Sequence, residues 1–579
     1  MQFGVCGNGA GCEVRYGRLS VEKRKRGATV YAAVLLVLAA FRIWIACHTN
    51  YAAVPTGPYD EELQVSLGLS LAAGQWLGVY NQYTLIKGIV YPLFLALCAE
   101  LGITYGLGLG IVMVLAALLF QAMLGLVTKN RILRGVSYAY VLYSPAAMTS
   151  WSGLRIYRDA LGPWLALILV SCLAAVWFLR AQPFRKSVPW FAGLAVSFML
   201  FYNLREDGIW ILPLAGVGLL MSAAGRVLAY SRGVLPESGG NGTKSFVRFV
   251  LPYLFCCLLP FAADAGWKQY LSQKNLAHYG IALPNDRVKG NFARVMSLIS
   301  SVEDPEADQV HWITNRMLEQ CVAASPSLKR MESEIEARRR VTAAGQSSDE
   351  VLGDYMQWVL RNALADAGFY KDGAKTEALL GQIASELEAA YGTGQLKKDG
   401  KIHLSSQGRG LEAGELAAYV GKTFGTLPKL AAYKGCIGFY PYHTACTGNL
   451  LQRYEVLLGI DLGRETVESA PYRSAAAAGT GLTALYRILG VILVCLCLAG
   501  TLAGTVQALR GIFTGNADVL PLVWGLLLSA FLLVYMVTIF TEFLDESFFY
   551  NYTSVFYALI PAAVCLTAAG MSGTFRKGC

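Results

Sequence analysis

Charge is what this sequence has least of. Asp, Glu, Lys and Arg make up 15% of its 579 residues, and 55% are hydrophobic. A typical soluble domain carries about 25% charged residues, so an ordinary soluble enzyme is excluded. The mean hydropathy of +0.43 points to surface in contact with lipid. Histidine is also scarce. There are five, none at metal-site spacing from a cysteine, and the 14 cysteines include no Cys-x-x-Cys pair. Zinc ribbons and thioredoxin-type redox motifs are therefore absent. Basic residues outnumber acidic ones, giving a net charge of +10, but no basic patch is interleaved with aromatics. Nucleic acid is not an expected partner. No internal repeat is visible.

Many of the cysteines lie in apolar stretches (Cys172, Cys256, Cys257, Cys495, Cys497, Cys565), where a thiol behaves as a small hydrophobe. Cys436 and Cys446 lie close together in a polar region. They form a candidate disulfide if that region is extracytoplasmic. Cys6 and Cys12 fall in a Gly-rich N-terminal tail expected to be disordered.

Apolar runs are what the chain has in abundance. Crossing about 30 Å of hydrocarbon takes ~18 or more mostly apolar residues. The first such run, Ala28 to His48, follows Lys23-Arg24-Lys25-Arg26. It is long for a signal peptide and has no small-x-small cleavage site, so it reads as an uncleaved anchor. The basic cluster holds residues 1–27 in the cytoplasm. Residues 49–104 then form a first outer loop. In it, Leu63 to Ala73 reads as a helix lying at the membrane interface, and Ile86 to Leu101 as a helix too short to cross.

Further spans are predicted at about 105–127, 135–151, 160–180, 188–204, 208–225 and 248–264, and three more at 480–507, 518–540 and 552–571. Loops placed inside carry Lys129, Arg131 and Arg134, then Arg180, Arg185 and Lys186, then Arg226, Arg232, Lys244 and Arg248. Loops placed outside carry both signs. That alternation obeys the positive-inside rule. Residues 265–475 are charge-rich, with helical patterns at Glu350–Ala367 and Thr376–Tyr391. The expectation is an all-α polytopic membrane protein of about ten spans. Both termini are cytoplasmic, and a large, mainly helical insertion at 265–475 is extracytoplasmic. Residues 476–579 return to the membrane.

Ionisable groups at membrane depth are costly and mark function or pairing. Here they gather at the outer ends of spans: Asp60, Glu61, Glu62, Lys87, Arg155, Arg158, Asp159, Arg205, Glu206, Asp207, Glu542, Asp545 and Glu546. An arginine fork holds phosphate oxygens at two points, and a carboxylate can take a proton from an attacking hydroxyl. Each also has a plainer reading. Asp60-Glu61 fits a solvated loop, Arg158-Asp159 an interface anchor, and Arg205-Glu206-Asp207 a helix-start turn. Arg42, inside the first span, fits a snorkelling or internally paired cation. The arrangement, rather than any one residue, points to an anionic substrate.

The order of these groups resembles the GT-C superfamily of membrane glycosyltransferases, nearest to the protein O-mannosyltransferase and aminoarabinose-transferase-like branch. After the anchor come Tyr59-Asp60-Glu61, an interfacial helix ending Gly74-Gln75-Trp76, and Lys87-Gly88-x-x-Tyr91-Pro92-Leu93. Arg155-x-x-Arg158-Asp159 and Arg205-Glu206-Asp207 follow. The resemblance covers about residues 28–225, making 28–264 the catalytic core. Where the family carries a double proline, this chain has Gly88 and a later Pro92. The resemblance implies inverting transfer of a sugar from a polyprenyl-phosphate carrier to a lipid, glycan or protein acceptor on the outer face. It implies Asp60 as the acceptor's base, with Glu61 the alternative. Lys87, Arg155, Arg158 and Arg205 would hold the carrier phosphate, and Asp159 and Glu206 would orient those cations. Some members need a divalent metal and others do not; the sequence leaves this open.

Two other readings compete. A lipid-linked-sugar flippase or other transporter would show charges near mid-membrane and symmetry between halves. A surface-polysaccharide polymerase or ligase would place its chemistry in the insertion, around Arg409, His443 and Arg453.

Overall fold

The computed structural model of the chain describes residues 9–54, 59–148, 154–235, 243–346, 348–438, 444–544 and 546–572. Among them, seven helical segments are long and apolar enough to cross a bilayer: Arg26–Cys47, Tyr105–Val127, Arg158–Phe178, Gly208–Ser231, Lys244–Tyr279, Ala470–Leu509 and Val519–Phe540. Three shorter apolar helices, Val90–Glu100, Val188–Tyr202 and Phe556–Met571, accompany them. Among the described residues, strand is confined to a short antiparallel pair, Ile402–His403 with Gly410–Leu411. The fold is an all-α polytopic membrane bundle.

Local chemistry fixes the helix starts. Thr104 caps Tyr105–Val127, its hydroxyl accepting from Leu107 N at 3.2 Å. The Asn130 side chain accepts from Leu133 N at 3.1 Å at the start of Arg131–Leu142. Pro163, Pro189, Pro213 and Pro252 occupy the first turns of their helices, where a missing N–H costs nothing. The Arg158–Phe178 segment is apolar on every side and 89% buried, so it is the central helix of the bundle. Tyr105–Val127, Val188–Tyr202, Leu212–Ser231 and Phe556–Met571 pack around it.

Several expectations change. The predicted span at 135–151 is a helix only over Arg131–Leu142, followed by a 3-10 turn at Pro145–Ala147. Twelve helical residues reach about 18 Å, and Pro145 forbids continuation. Of the stretch that follows, the described residues Leu154–Tyr157 are not in a regular helix. Among the described side chains, Tyr143–Met148 and Leu154–Tyr157 are buried in protein, the condition under which non-helical backbone is tolerated at membrane depth. The tail expected to be disordered is helical from Gly9, Cys12 included, and continues unbroken to Cys47. No proline interrupts it, although Gly9, Gly11, Gly17 and Gly27 are each unfavourable in a helix; Cys6 lies outside the described residues.

The Glu61–Ala72 helix is packed into the protein. It buries Leu63, Gln64, Val65, Leu67 and Gly68 and packs on Val90–Glu100 and Gly448–Leu458. Val90–Glu100, with eleven residues, is about 16 Å long and too short to cross.

The insertion has two parts. Its first part has a separate core built on Phe292, Ile299, Leu318, Leu360, Leu380 and Leu387, with helices including Met356–Asp366 and Gly373–Thr393. Its second part joins the main membrane core through Leu430, Tyr433, Tyr454 and Leu457. Helices run across both sequence boundaries, since Leu251–Tyr279 and Ala470–Leu509 are continuous. Cys436 and Cys446 are separate, buried thiols. The Cys446 thiol donates to the Ala53 carbonyl, S···O 3.6 Å.

Candidate active site

The backbone of the first outer loop sets the site. Ala52 forms a parallel bridge with Arg155: Ala52 N donates to Leu154 O at 3.0 Å, and Ile156 N to Ala52 O at 3.2 Å. Ala445 N donates to Ala53 O at 2.9 Å from the other side. This three-stranded contact brings Arg155-Ile156-Tyr157-Arg158-Asp159 alongside Asp60 and Glu61, which open the next helix.

Lys87 is buried at the centre. Its ammonium pairs with Asp60 and donates to the Tyr157 hydroxyl at 2.6 Å, which in turn donates to Asp60 Oδ1 at 3.2 Å. Asp60 keeps 29% of its side chain exposed, whereas Glu61 is 0% exposed and paired with Arg155. Asp60 is thus open to the surroundings, and Glu61 is enclosed. Arg155 also lies 3.8 Å from Asp60 Oδ2. Burial disfavours the Asp60 charge, but Lys87 and Arg155 outweigh it and hold the carboxyl at about 2. Burial lowers Lys87 to about 8, against the pull of Asp60.

A second layer continues from this centre. Arg158 pairs with Glu206 at 2.8 Å, and Glu206 Oε1 accepts from Gly88 N at 3.1 Å. A Cβ at Gly88 would lie 2.1 Å from the Asn203 carbonyl oxygen, so the position needs glycine where the family pattern has proline. Burial disfavours the Glu206 charge, yet Arg158 and Arg287 hold it at about 2. Arg205 pairs with Asp159 and forks onto Asp207, Nε–Oδ1 2.8 Å and Nη2–Oδ2 2.5 Å. Burial works against the Arg205 charge, but Asp159 and Asp207 raise its pKa well above the usual value. Asn551 donates to Asp159 at 2.7 Å, and the Arg205 guanidinium lies 4.7 Å from the centre of the Tyr552 ring.

The eight residues given site roles from the sequence therefore meet at one end of the bundle, whereas Glu542 and Glu546 pair with Lys422 and Lys429. Sequence reasoning missed several others. Tyr157 sits inside the Arg155–Asp159 motif, with Lys87, Arg155 and Arg158 within 4.9, 5.3 and 5.5 Å of its ring centre. The insertion contributes Arg287 and Asp354, paired at 2.7 Å. Burial raises Asp354, Arg287 opposes this, and the nearby Asp60 charge adds to the rise. Trp358 of the insertion stacks on Tyr59, centroids 4.0 Å apart. Only Tyr157 had a local signal, as an aromatic between two arginines.

Other candidates fall elsewhere. Arg409 pairs with Glu415 at 2.9 Å, whereas Arg453 donates to Ser66 at 2.9 Å; His443 and Asp545 lie outside the described residues. Arg42 does not snorkel: it is buried, with its guanidinium 5.8 Å from the centre of the Trp164 ring. Among the described residues no group of three or more His, Cys, Asp or Glu side chains is placed to hold a metal ion. The cluster carboxylates Asp60, Glu61, Asp159, Glu206 and Asp207 are each committed to a cation. Paired in this way, these carboxylates do not form a divalent-ion site.

No family model matches the chain. The autoinducer 2 import system permease protein LsrC of Yersinia pseudotuberculosis serotype O:1b (strain IP 31758) is 26% identical over 214 residues, 37% of this chain and 57% of that protein. The chain thus spans just over half the length of that relative. Two solved structures of ArnT from Cupriavidus metallidurans, one bound to undecaprenyl phosphate and one in the apo state, align with 94% and 95% of this chain and 78% of theirs. Identity is 12% in both, with TM-scores of 0.25 and 0.24. Superpositions this loose leave the reading of the site to its own geometry.

Proposed function

We propose that the chain is a GT-C-type glycosyltransferase that moves a sugar from a polyprenyl-phosphate-linked donor to an acceptor hydroxyl on the extracytoplasmic face. The observation that carries this reading is the position of Asp60. It is a part-exposed carboxylate tied to a buried lysine and tyrosine, with Arg155, Arg158 and Arg205 close by, at one end of a membrane bundle. Fixed cations in a water-poor site stabilise the charge that develops on a leaving phosphate. The end of the bundle that carries this cluster is opposite the loops bearing Arg180, Arg185 and Lys186, which supports placing it outside.

In the proposed reaction the acceptor oxygen attacks the anomeric carbon as the bond to the carrier phosphate breaks. Asp60 takes the acceptor proton, and the polyprenyl phosphate leaves with the electron pair. A single displacement inverts the anomeric centre. A carboxylate held at about 2 by Lys87 and Arg155 is a weak base. A donor phosphate that draws Lys87 to itself removes Asp60's closest counter-charge and raises its basicity. Donor binding thus prepares the base, and Tyr157, bonded to both groups, keeps Asp60 in place.

The transporter reading asks for charge near mid-membrane, whereas the cluster lies at the ends of its helices. The polymerase reading asks Arg409 and Arg453 to act together, and they serve different partners.

The test is sugar transfer from a radiolabelled polyprenyl-phosphate sugar by the full chain in proteoliposomes. Asp60→Asn should lower the rate about a hundredfold or more, within the usual range for general-base catalysis, with donor binding retained. Normal turnover by Asp60→Asn, Glu61→Gln and the double variant would overturn the assignment.

A further inference from the structure

A second basic site lies at the Glu546 end of the Glu546–Tyr552 helix, whose other end touches the charged cluster. An open surface cavity of about 510 Å³ is lined by Pro428, Lys429, Ala432, Lys434 and Arg487. One of the three cations, Arg487, is held there by the backbone. Arg487 donates to the Cys436 carbonyl at 2.5 Å and to the Tyr433 carbonyl at 3.4 Å. The turn between them has Tyr433 at φ 51°, a left-handed conformation unusual for a tyrosine. The turn lies so close to the Ala470–Leu509 helix that a Cβ at Gly490 would meet the Ala431 carbonyl at 2.3 Å. Lys434, exposed, projects from this turn. Lys429 lies 3.6 Å from Glu546, with both side chains about half exposed.

The surroundings are apolar. Leu485, Ile488, Val491 and Ile492 are exposed on the Ala470–Leu509 helix around Arg487, and Val420 and Phe424 are exposed on the helix leading to Lys429. That helix of 40 residues is about 60 Å long, twice the hydrocarbon thickness. Arg487 lies about 34 Å from its Arg510 end by the same rise per residue. This places Arg487 at the bilayer boundary on the side of the catalytic cluster.

We propose that this cavity binds the phosphate headgroup of an anionic membrane lipid, separate from the donor site. Cations at headgroup depth flanked by exposed aliphatic side chains suit a molecule with a phosphate and acyl chains; a free anion would have no use for the apolar flanks. The Glu546–Tyr552 helix links the two sites. Its first residue faces Lys429, and Asn551 and Tyr552 contact Asp159 and Arg205.

The test is native mass spectrometry of the full chain titrated with phosphatidylglycerol or phosphatidylcholine. The wild type should retain phosphatidylglycerol about tenfold more tightly, the loss of one charged contact being worth roughly that factor. Lys429→Gln/Lys434→Gln should abolish the preference, whereas Lys434→Arg, the distant Lys375→Gln and the donor-site Arg158→Lys should keep it. The proposal is overturned if the wild type shows no preference or if the double variant keeps it. It is equally overturned if millimolar inorganic phosphate displaces phosphatidylglycerol as readily as another lipid does. None of these outcomes depends on sugar transfer, so this site and the catalytic reading fail separately.

Discussion

Lys87 donates to the Tyr157 hydroxyl at 2.6 Å across a sequence separation of 70 residues. That bond joins the first outer loop to the Arg155–Asp159 motif, and both partners also touch Asp60. The site is therefore built around one lysine whose charge state governs its neighbours.

A pH dependence follows. Lys87 is held at about 8, so its charge is present below that value and lost as pH rises through it. Asp60, at about 2, stays ionised throughout the neutral range and adds no acid limb above about pH 3. Donor binding should fall as pH rises through about 8. Lys87→Arg, which cannot deprotonate there, should move that limb upward. A limb left unchanged in Lys87→Arg would assign it to another group.

The arginines should be intolerant of lysine. Arg158 and Arg205 each engage carboxylates in this structure, Arg205 with both prongs of its fork. Arg158→Ala and Arg205→Ala should each weaken donor binding by about 1.5–3 kcal/mol, and Arg→Lys should recover little of it. Lipid-donor titration of the folded variants checks this. Unchanged affinity in the double variant would make both residues structural.

Glu206 makes a stability prediction. Its folded-state carboxyl is depressed to about 2, so its contribution is present above its unfolded pKa of about 4.3. That contribution is lost as pH falls from there through about 2. Glu206→Gln leaves Arg158 buried without its partner and should cost about 3–5 kcal/mol, read as a lower unfolding temperature in detergent. An unchanged melting curve would show that Arg158 finds another counter-charge.

The longest spans were legible in the sequence, but the pairings among the charged groups were not. Apolar runs are local properties, so Tyr105–Val127 and Val519–Phe540, and the placement of Asp60, Arg158 and Arg205 near the ends of apolar segments, could be read directly. The pairing of Arg155 with buried Glu61, and of Arg158 with Glu206, depends on contacts between residues 94 and 48 positions apart. No spacing rule reports these. Arg287 and Asp354 were hidden for the same reason, since only docking of the insertion brings them near Asp60. Pro145 was a readable breaker whose effect on the 135–151 span was missed.

Orientation has a direct check. In a cysteine-depleted background, Lys371→Cys in the insertion should label from outside intact cells with a membrane-impermeant maleimide, and Lys186→Cys only after permeabilisation. Both positions are exposed. The reverse pattern would place the cluster in the cytoplasm and remove the basis for an extracytoplasmic transfer.

The central claim is that the cluster around Asp60 receives a lipid-linked phosphate. The most direct measurement is an experimental structure of the full chain with a polyprenyl phosphate bound. The account predicts the phosphate within hydrogen-bond distance of Lys87 and at least one of Arg158 and Arg205, with the Lys87–Asp60 pair opened. A phosphate bound elsewhere, with that pair intact, would contradict it.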